Sequence, residues 1–271
     1  MMISKPLNET QRRFNDLCRL GGGPRGGPAR SKVQELLRWS GQSLNEIAYR
    51  EVAAVMDTFS DRNPWHVCFG VGLCWGRFAN LNDEFLGATL NLMENWNSDD
   101  LKVARSFHLE RGPLGLEQSL AGGNTMFAST VMPKQLPTDI AGYRRAQDRW
   151  LGRVIGKDRP KYVGSWNATA MFMVALFSNK PLADSLTTQE VLLPPGGALY
   201  NALSILHDGH ILSRGPAGSE LDDQAFEPGA IYENNELFTE ILGGRAGWSL
   251  LDVHSGLYML GTRLPETNGW F

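Results

Sequence analysis

The chain is 271 residues long, 42% hydrophobic and 20% charged, and carries a net charge of −3. Such a balance belongs to a folded chain and excludes a disordered one, while the small negative charge excludes a globally basic nucleic-acid binder. Thirty glycines and fourteen prolines require many turns, and eight tryptophans require a bulky core or aromatic contact surfaces.

The start of the chain is basic. Lys5, Arg12, Arg13, Arg19, Arg25, Arg30 and Lys32 face only Glu9 and Asp16. The run Gly21-Gly22-Gly23-Pro24-Arg25-Gly26-Gly27-Pro28 can hold neither helix nor strand. Residues 1–30 are therefore expected to form a mobile basic arm hinged to a single body over 31–271. The run is no phosphate loop, because the Gly-Lys-Ser/Thr ending is missing.

Helical signals dominate the body. Ser31 with Gln34 and Ser43 with Glu46 read as capping boxes. Leu44, Ile47, Ala48, Val52, Val55, Met56 and Phe59 recur at helical spacing as far as Asp61-Arg62-Asn63-Pro64. From Trp65 to Gly76 large and small residues alternate as in a strand. Cys68, Gly72 and Gly76 also share one helical face, however, and the helical neighbours favour a helix that another backbone can approach closely. Further amphipathic runs follow Asn82, Ser98-Asp99 and Thr138. Trp166 to Phe177 is apolar all round, as a buried central helix is.

Beyond Pro181 the texture loosens. Pro194-Pro195-Gly196-Gly197 precedes a short helix with Leu199, Leu203 and Leu206, and Asn234 or Asn235 can cap another that ends at Gly243-Gly244. Trp248–Val253 and Leu257–Thr262 read as two short strands around His254-Ser255-Gly256. The expected fold is mainly α: a single α-helical globular domain whose loop-rich C-terminal third has room for a short β-hairpin.

Cys18, Cys68 and Cys74 form an odd set without a CxxC spacing, and no apolar core follows the first basic residues as a secretory signal requires. The longest apolar run, Ala168 to Phe177, falls well short of the ~20 residues that span a bilayer. A reducing cytoplasm and no membrane are expected.

Function is most concentrated between Ile205 and Glu240, where eight carboxylates accompany one arginine and two of the five histidines. Glu220, Asp222, Asp223, Glu227 and Glu233 suit a basic protein surface, where such charge sets encounter rate and specificity. His207 and His210, joined by Asp222 or Asp223, offer an alternative: a divalent metal that acidifies a bound water for hydrolysis. Neither HExxH nor a nucleophile elbow is present. Asp252-x-His254-Ser255 suggests nucleophilic catalysis but lacks an oxyanion hole in its sequence context. Arg145, Arg149 and Arg153, spaced i,i+4, make one basic ridge on a helix.

The expected function is thus a protein-binding protein of adaptor, assembly or toxin-neutralising type. It grips a partner with a basic surface through the acidic segment and needs no cofactor. Nucleic acid is not the expected partner. The alternative is the metal-dependent hydrolase, which would need the metal.

Overall fold

A computed structural model describes residues 4–20, 29–75, 83–111, 116–129, 134–154, 170–186, 191, 193–194, 196–218, 228–243 and 248–262. Among them the chain is helical and contains no strand. The helices are α1 (Ser4–Leu20), α2 (Arg30–Thr58), α3 (Pro64–Trp75), α4 (Asp83–Glu94), α5 (Lys102–Arg111), α6 (Leu116–Ser129) and α7 (Ile140–Val154). Then come α8 (170–177), α9 (Lys180–Asp184), α10 (Gly197–Asp208), α11 (Pro228–Leu242) and α12 (Leu250–Gly261).

The centre of the fold is α12, and every one of its residues is buried. The expected β-hairpin at Trp248–Thr262 is therefore not supported: Leu250–Gly261 forms one helix across both expected strands. A helix covered on all sides shows no polar stripe, so its sequence lacks the helical period and resembles two short apolar runs. Ser249 caps it, accepting from the Asp252 amide at 3.1 Å, which satisfies one of the orphan donors of the first turn.

The long helix α2 crosses α12 in the most extensive helix contact of the structure. The two run antiparallel, and each offers a glycine to the other's backbone. Gly41 sits on the Asp252 carbonyl, and one turn away Gly256 sits on the Leu37 carbonyl. A third glycine, Gly261, lets α10 approach through Ala198 and Ala202. Without Cβ atoms at these points the backbones close to a spacing that larger residues forbid.

Two expected helix starts are corrected here. Ser43 lies inside α2 and donates to the Trp39 carbonyl at 2.8 Å, so α2 is one continuous helix through both serines. Gln34 makes no capping box either. Its amide reaches the Ile241 carbonyl at 2.5 Å, while Arg30 reaches the Glu240 carbonyl at 2.9 Å. The start of α2 thus satisfies the end of α11, where carbonyls lack helical partners.

Over its described part the basic start is helical and packed. Ser4–Leu20 forms α1, which packs on α2 and α12. Phe14 is buried, Thr10 meets Ser40 hydroxyl to hydroxyl at 2.8 Å, and Gln11 donates to the Thr262 carbonyl at 2.6 Å. Arg13 stacks over Trp39, 4.1 Å from the ring centre. Arg12 and Arg13 also bond Glu9, so acid–base spacing within one helix neutralises charge that the sequence displays as a basic run. The Gly/Pro run at 21–28 lies outside the described residues.

The stretch from Pro64 to Trp75 is a helix, as its neighbours suggest. A Cβ at Gly72 would lie 3.2 Å from the Met171 amide nitrogen, so α8 does approach its small face. The described residues of α8 are all buried, in keeping with the apolar Trp166–Phe177 run.

Candidate functional site

Helix α11 and the loop before it organise the acidic segment. α10 ends at Asp208 with Gly209 at its C-cap, and His210 adopts a left-handed φ of 58°. The described part of the loop that follows is fastened to α11 at three residues. Ser213 gives its amide and hydroxyl to the two carboxylate oxygens of Glu240, at 2.9 and 2.7 Å. Arg214 reaches the Glu233 carbonyl at 2.6 Å and the Glu236 carboxylate at 3.2 Å. Ala217 exchanges two hydrogen bonds with the Asn234 side chain, at 2.6 and 3.1 Å.

Asn234 and Asn235 are therefore not caps. Helix α11 begins six residues earlier, at Pro228, and both asparagines are buried inside it. Asn235 holds the opposite side, accepting from the Leu193 amide at 3.0 Å and donating to its carbonyl at 3.5 Å. A side-chain amide carries both a donor and an acceptor, so one residue can satisfy both groups of a passing backbone. The two neighbouring asparagines face different segments and pin both to α11.

Of the sequence-predicted acidic binding residues, one is described. Glu233 is exposed on α11. Glu220, Asp222, Asp223 and Glu227 lie outside the described residues. Glu236 and Glu240, passed over at the sequence level, are the acids that bind the loop. Among the described residues the basic start meets the acidic segment through Arg30 with Glu240, at 2.9 Å to the carbonyl and 3.5 Å to the carboxylate.

The metal alternative gains no support from this geometry. His207 is exposed in the last turn of α10 and lies 3.7 Å from its neighbour Asp208. His210 stands beyond the helix end in a left-handed conformation, so the helical i,i+3 relation does not set its direction relative to His207. Among the described residues no group of three or more His, Cys, Asp or Glu side chains gathers as metal ligands do.

A second polar cluster is buried where α2 crosses α12. Asp252 accepts from Asn45 at 2.9 Å and from Gln42 at 3.3 Å, and Ser255 donates to Asn45 at 2.6 Å. Burial pushes the Asp252 carboxyl above its ordinary range, and Asp184 adds to the shift while Asn45 and Gln42 oppose it. His254 turns elsewhere on α12. Its Nε2 lies 2.9 Å from the Pro194 carbonyl and therefore donates, and its ring meets Phe238 edge-on. Burial holds its pKa down at about 4, so the ring is neutral near pH 7. Asp252 and His254 thus serve different neighbours, and Ser255 is sealed from solvent. The Asp-x-His-Ser run is a set of internal ties, not a nucleophilic centre.

Of the three cysteines, Cys18 is exposed on α1 and the other two are sequestered. Cys68 and Cys74 are buried, and burial pushes the Cys74 thiol up to about 12, far from the thiolate needed for reaction. His66 is half-buried. It stacks parallel to Trp96 and meets Phe127 edge-on at 3.9 Å, and burial with Arg62 nearby lowers its pKa. Arg145 and Arg149 are exposed on α7, while Tyr143 and Gln147 are buried on its other side. Arg153 belongs to the same helix, with its side chain outside the described residues. No described helix is long and apolar enough to cross a membrane. No family model matches the chain, and neither does any curated protein or solved structure.

Proposed function

We propose that the chain is a protein-binding protein that displays its acidic segment from the α11 platform to a partner with a basic surface. The observation that carries this reading is the double fastening of the segment. Residues 219–227 leave a loop tied to Asn234 and return at Pro228, the first residue of the same helix. Glu220, Asp222, Asp223 and Glu227 are thus tethered at both ends to one rigid element. Tethering lowers the ordering cost of binding, and the helix N-terminus at Pro228 favours nearby negative charge. Catalysis finds less support, because the buried Asp252, His254 and Ser255 are engaged with the chain itself.

The test is association of the full chain with a short oligo-lysine peptide at low and moderate salt. Asp222→Asn with Asp223→Asn should slow association, and the loss should shrink as salt screens exposed charge. His207→Ala should leave it unchanged. Glu46→Gln with Asp57→Asn removes equal charge from exposed sites on α2 and should also have little effect. Equal losses from both carboxylate pairs, or from neither, would sink the proposal.

A further inference from the structure

Where arginines are described in this fold, most are ties to the chain itself. Arg62 donates to the Met93 carbonyl, Arg105 to the Asp99 carbonyl and Glu117, and Arg214 to the Glu233 carbonyl and Glu236. On α7 the pattern breaks. Arg145 and Arg149 are exposed one turn apart and make no ion pair among the described residues. Arg144 beside them lies 3.8 Å from Asp148, a long and exposed pair. The other side of the helix faces the core. There Tyr143 is buried, meets Phe172 of α8 edge-on at 5.5 Å and donates its hydroxyl to the Phe172 carbonyl. The two arginines thus face outward from a helix that is anchored from within.

We infer that the outer face of α7 docks an acidic helical segment of a partner protein, with Arg145 and Arg149 meeting two carboxylates one turn apart. Four helical residues rise about 6 Å, so a partner helix laid along α7 repeats its side chains at the spacing of the two guanidinium groups. Guanidinium forks bind carboxylates with two parallel hydrogen bonds, which gives such a contact direction as well as strength. Among the described residues of this face, Ala141, Arg144, Arg145, Asp148 and Arg149, no large apolar side chain is present. The contact is therefore carried by charge, without the aromatic anchor that dominates tight interfaces, and it exchanges readily. Nucleic acid suits the face less. A duplex carries one charge per about 1.7 Å of its axis, whereas this ridge stands on a molecule of net charge −3 with Asp139 and Asp148 exposed beside it. The ridge is separate from the acidic segment, and its reading does not depend on that segment's partner.

NMR titration of the full chain with a synthetic alanine-rich helical peptide, carrying two glutamates four residues apart, tests this. At about 0.01 M salt the peptide should shift the α7 amide signals and the guanidinium signals of Arg145 and Arg149. The shifts should fade towards about 0.1 M as the screening length drops from roughly 30 Å to roughly 10 Å. The same peptide with glutamines should shift neither. Arg145→Ala with Arg149→Ala should weaken binding on the order of two- to thirtyfold, the range that two exposed ion pairs provide. Arg19→Ala with Arg50→Ala removes equal charge from exposed sites elsewhere and should leave binding nearly unchanged. Arg145→Glu with Arg149→Glu should reverse the preference, binding the lysine counterpart of the peptide in place of the glutamate one. A misfolded variant cannot produce that reversal, so it separates docking from structural damage.

Absent α7 shifts at millimolar peptide, or equal losses from the two arginine pairs, overturn the inference. So does a charge-reversed variant that fails to reverse the preference. If short single-stranded DNA shifts the Arg145 and Arg149 signals and the glutamate peptide does not, the ridge belongs to phosphate and the proposal falls. The oligo-lysine test of the acidic segment stands or falls apart from all of these.

Discussion

Gly256→Ala tests the crossing on which the whole fold is built. Helix propensity alone favours alanine over glycine by about 0.8–1 kcal/mol in a helix interior. At Gly256 the added Cβ would stand 2.7 Å from the Leu37 carbonyl carbon and 3.0 Å from its Cα. Those atoms are backbone in the middle of α2 and cannot rotate aside, so α2 and α12 must move apart. Overpacking of this kind costs about 1–3 kcal/mol, and a clash between two helix backbones belongs at the upper end. Subtracting the propensity gain leaves a net loss of about 2 kcal/mol. For a chain of this size that corresponds to a fall in thermal midpoint of roughly 4–8 °C. Gly87→Ala in α4 is the control, since its added Cβ would meet nothing within 4 Å. It should gain up to about 1 kcal/mol. Thermal and urea unfolding followed by circular dichroism would measure both. If both variants are stabilised, the backbones at Gly256 are not in contact and the crossing is misjudged.

Two further outcomes follow from the packing and from the buried titratable groups. Deleting residues 1–27 should lower the thermal midpoint, because Phe14 alone contributes about 1.5–3 kcal/mol when buried; an unchanged midpoint would mean that α1 does not dock on α2. The buried His254, with its pKa held near 4 against an ordinary 6.5, should contribute full stability above pH 6.5 and lose roughly 3 kcal/mol as pH falls towards 4, since only the unfolded chain takes up the proton in that window. His254→Asn can still donate to the Pro194 carbonyl and should flatten this part of the stability profile, whereas a profile as steep as that of the wild type would place the titration elsewhere. Asp252 opposes the trend: its pKa is raised in the fold, so its protonation favours the folded state as pH falls, and the two slopes separate when the His254 variant is compared with the wild type.

Amphipathic helices were legible in the sequence, and fully buried ones only in part. α4, α5 and α7 each follow a polar start and carry one apolar face, so periodicity locates them. The apolar run from Trp166 to Phe177 is longer than the roughly 4–8 residues of a usual strand, which favours a helix. α12 has no such run: Asp252, His254 and Ser255 interrupt it with groups that are polar in sequence but satisfied internally, and that interruption resembles a turn between strands. The pairing of Gly41 with Asp252 and of Gly256 with Leu37 is a relation between distant positions, and neither partner's local sequence signals it. α1 shows the same gap at the surface. Phe14 and Leu17, three residues apart, share the helical face that packs inward, whereas the adjoining Gly/Pro run suggests a free segment. Composition reports what a linker permits and not what the segment beyond it touches.

The candidate site follows the same division between local and distant information. The density of carboxylates from Ile205 to Glu240 is a one-dimensional property and was visible at once. The roles of individual residues within it depend on partners outside it. Glu236 and Glu240 appear to a sequence reader as two more surface acids, yet they fasten the loop because Arg214, Ser213 and Arg30 come to them. Asn234 and Asn235 resemble a helix start, the usual place for asparagine. Pro228 is an equally good first residue, and nothing local chooses between them. Burial decides the matter: inside α11 each asparagine satisfies both groups of a neighbouring backbone, a benefit available only after the loop and the 191–194 segment have packed on either side. The platform is thus a product of tertiary contact. A Asn234→Ala variant would leave both Ala217 groups without their partner while retaining every carboxylate, and so separates the charge of the segment from its fastening.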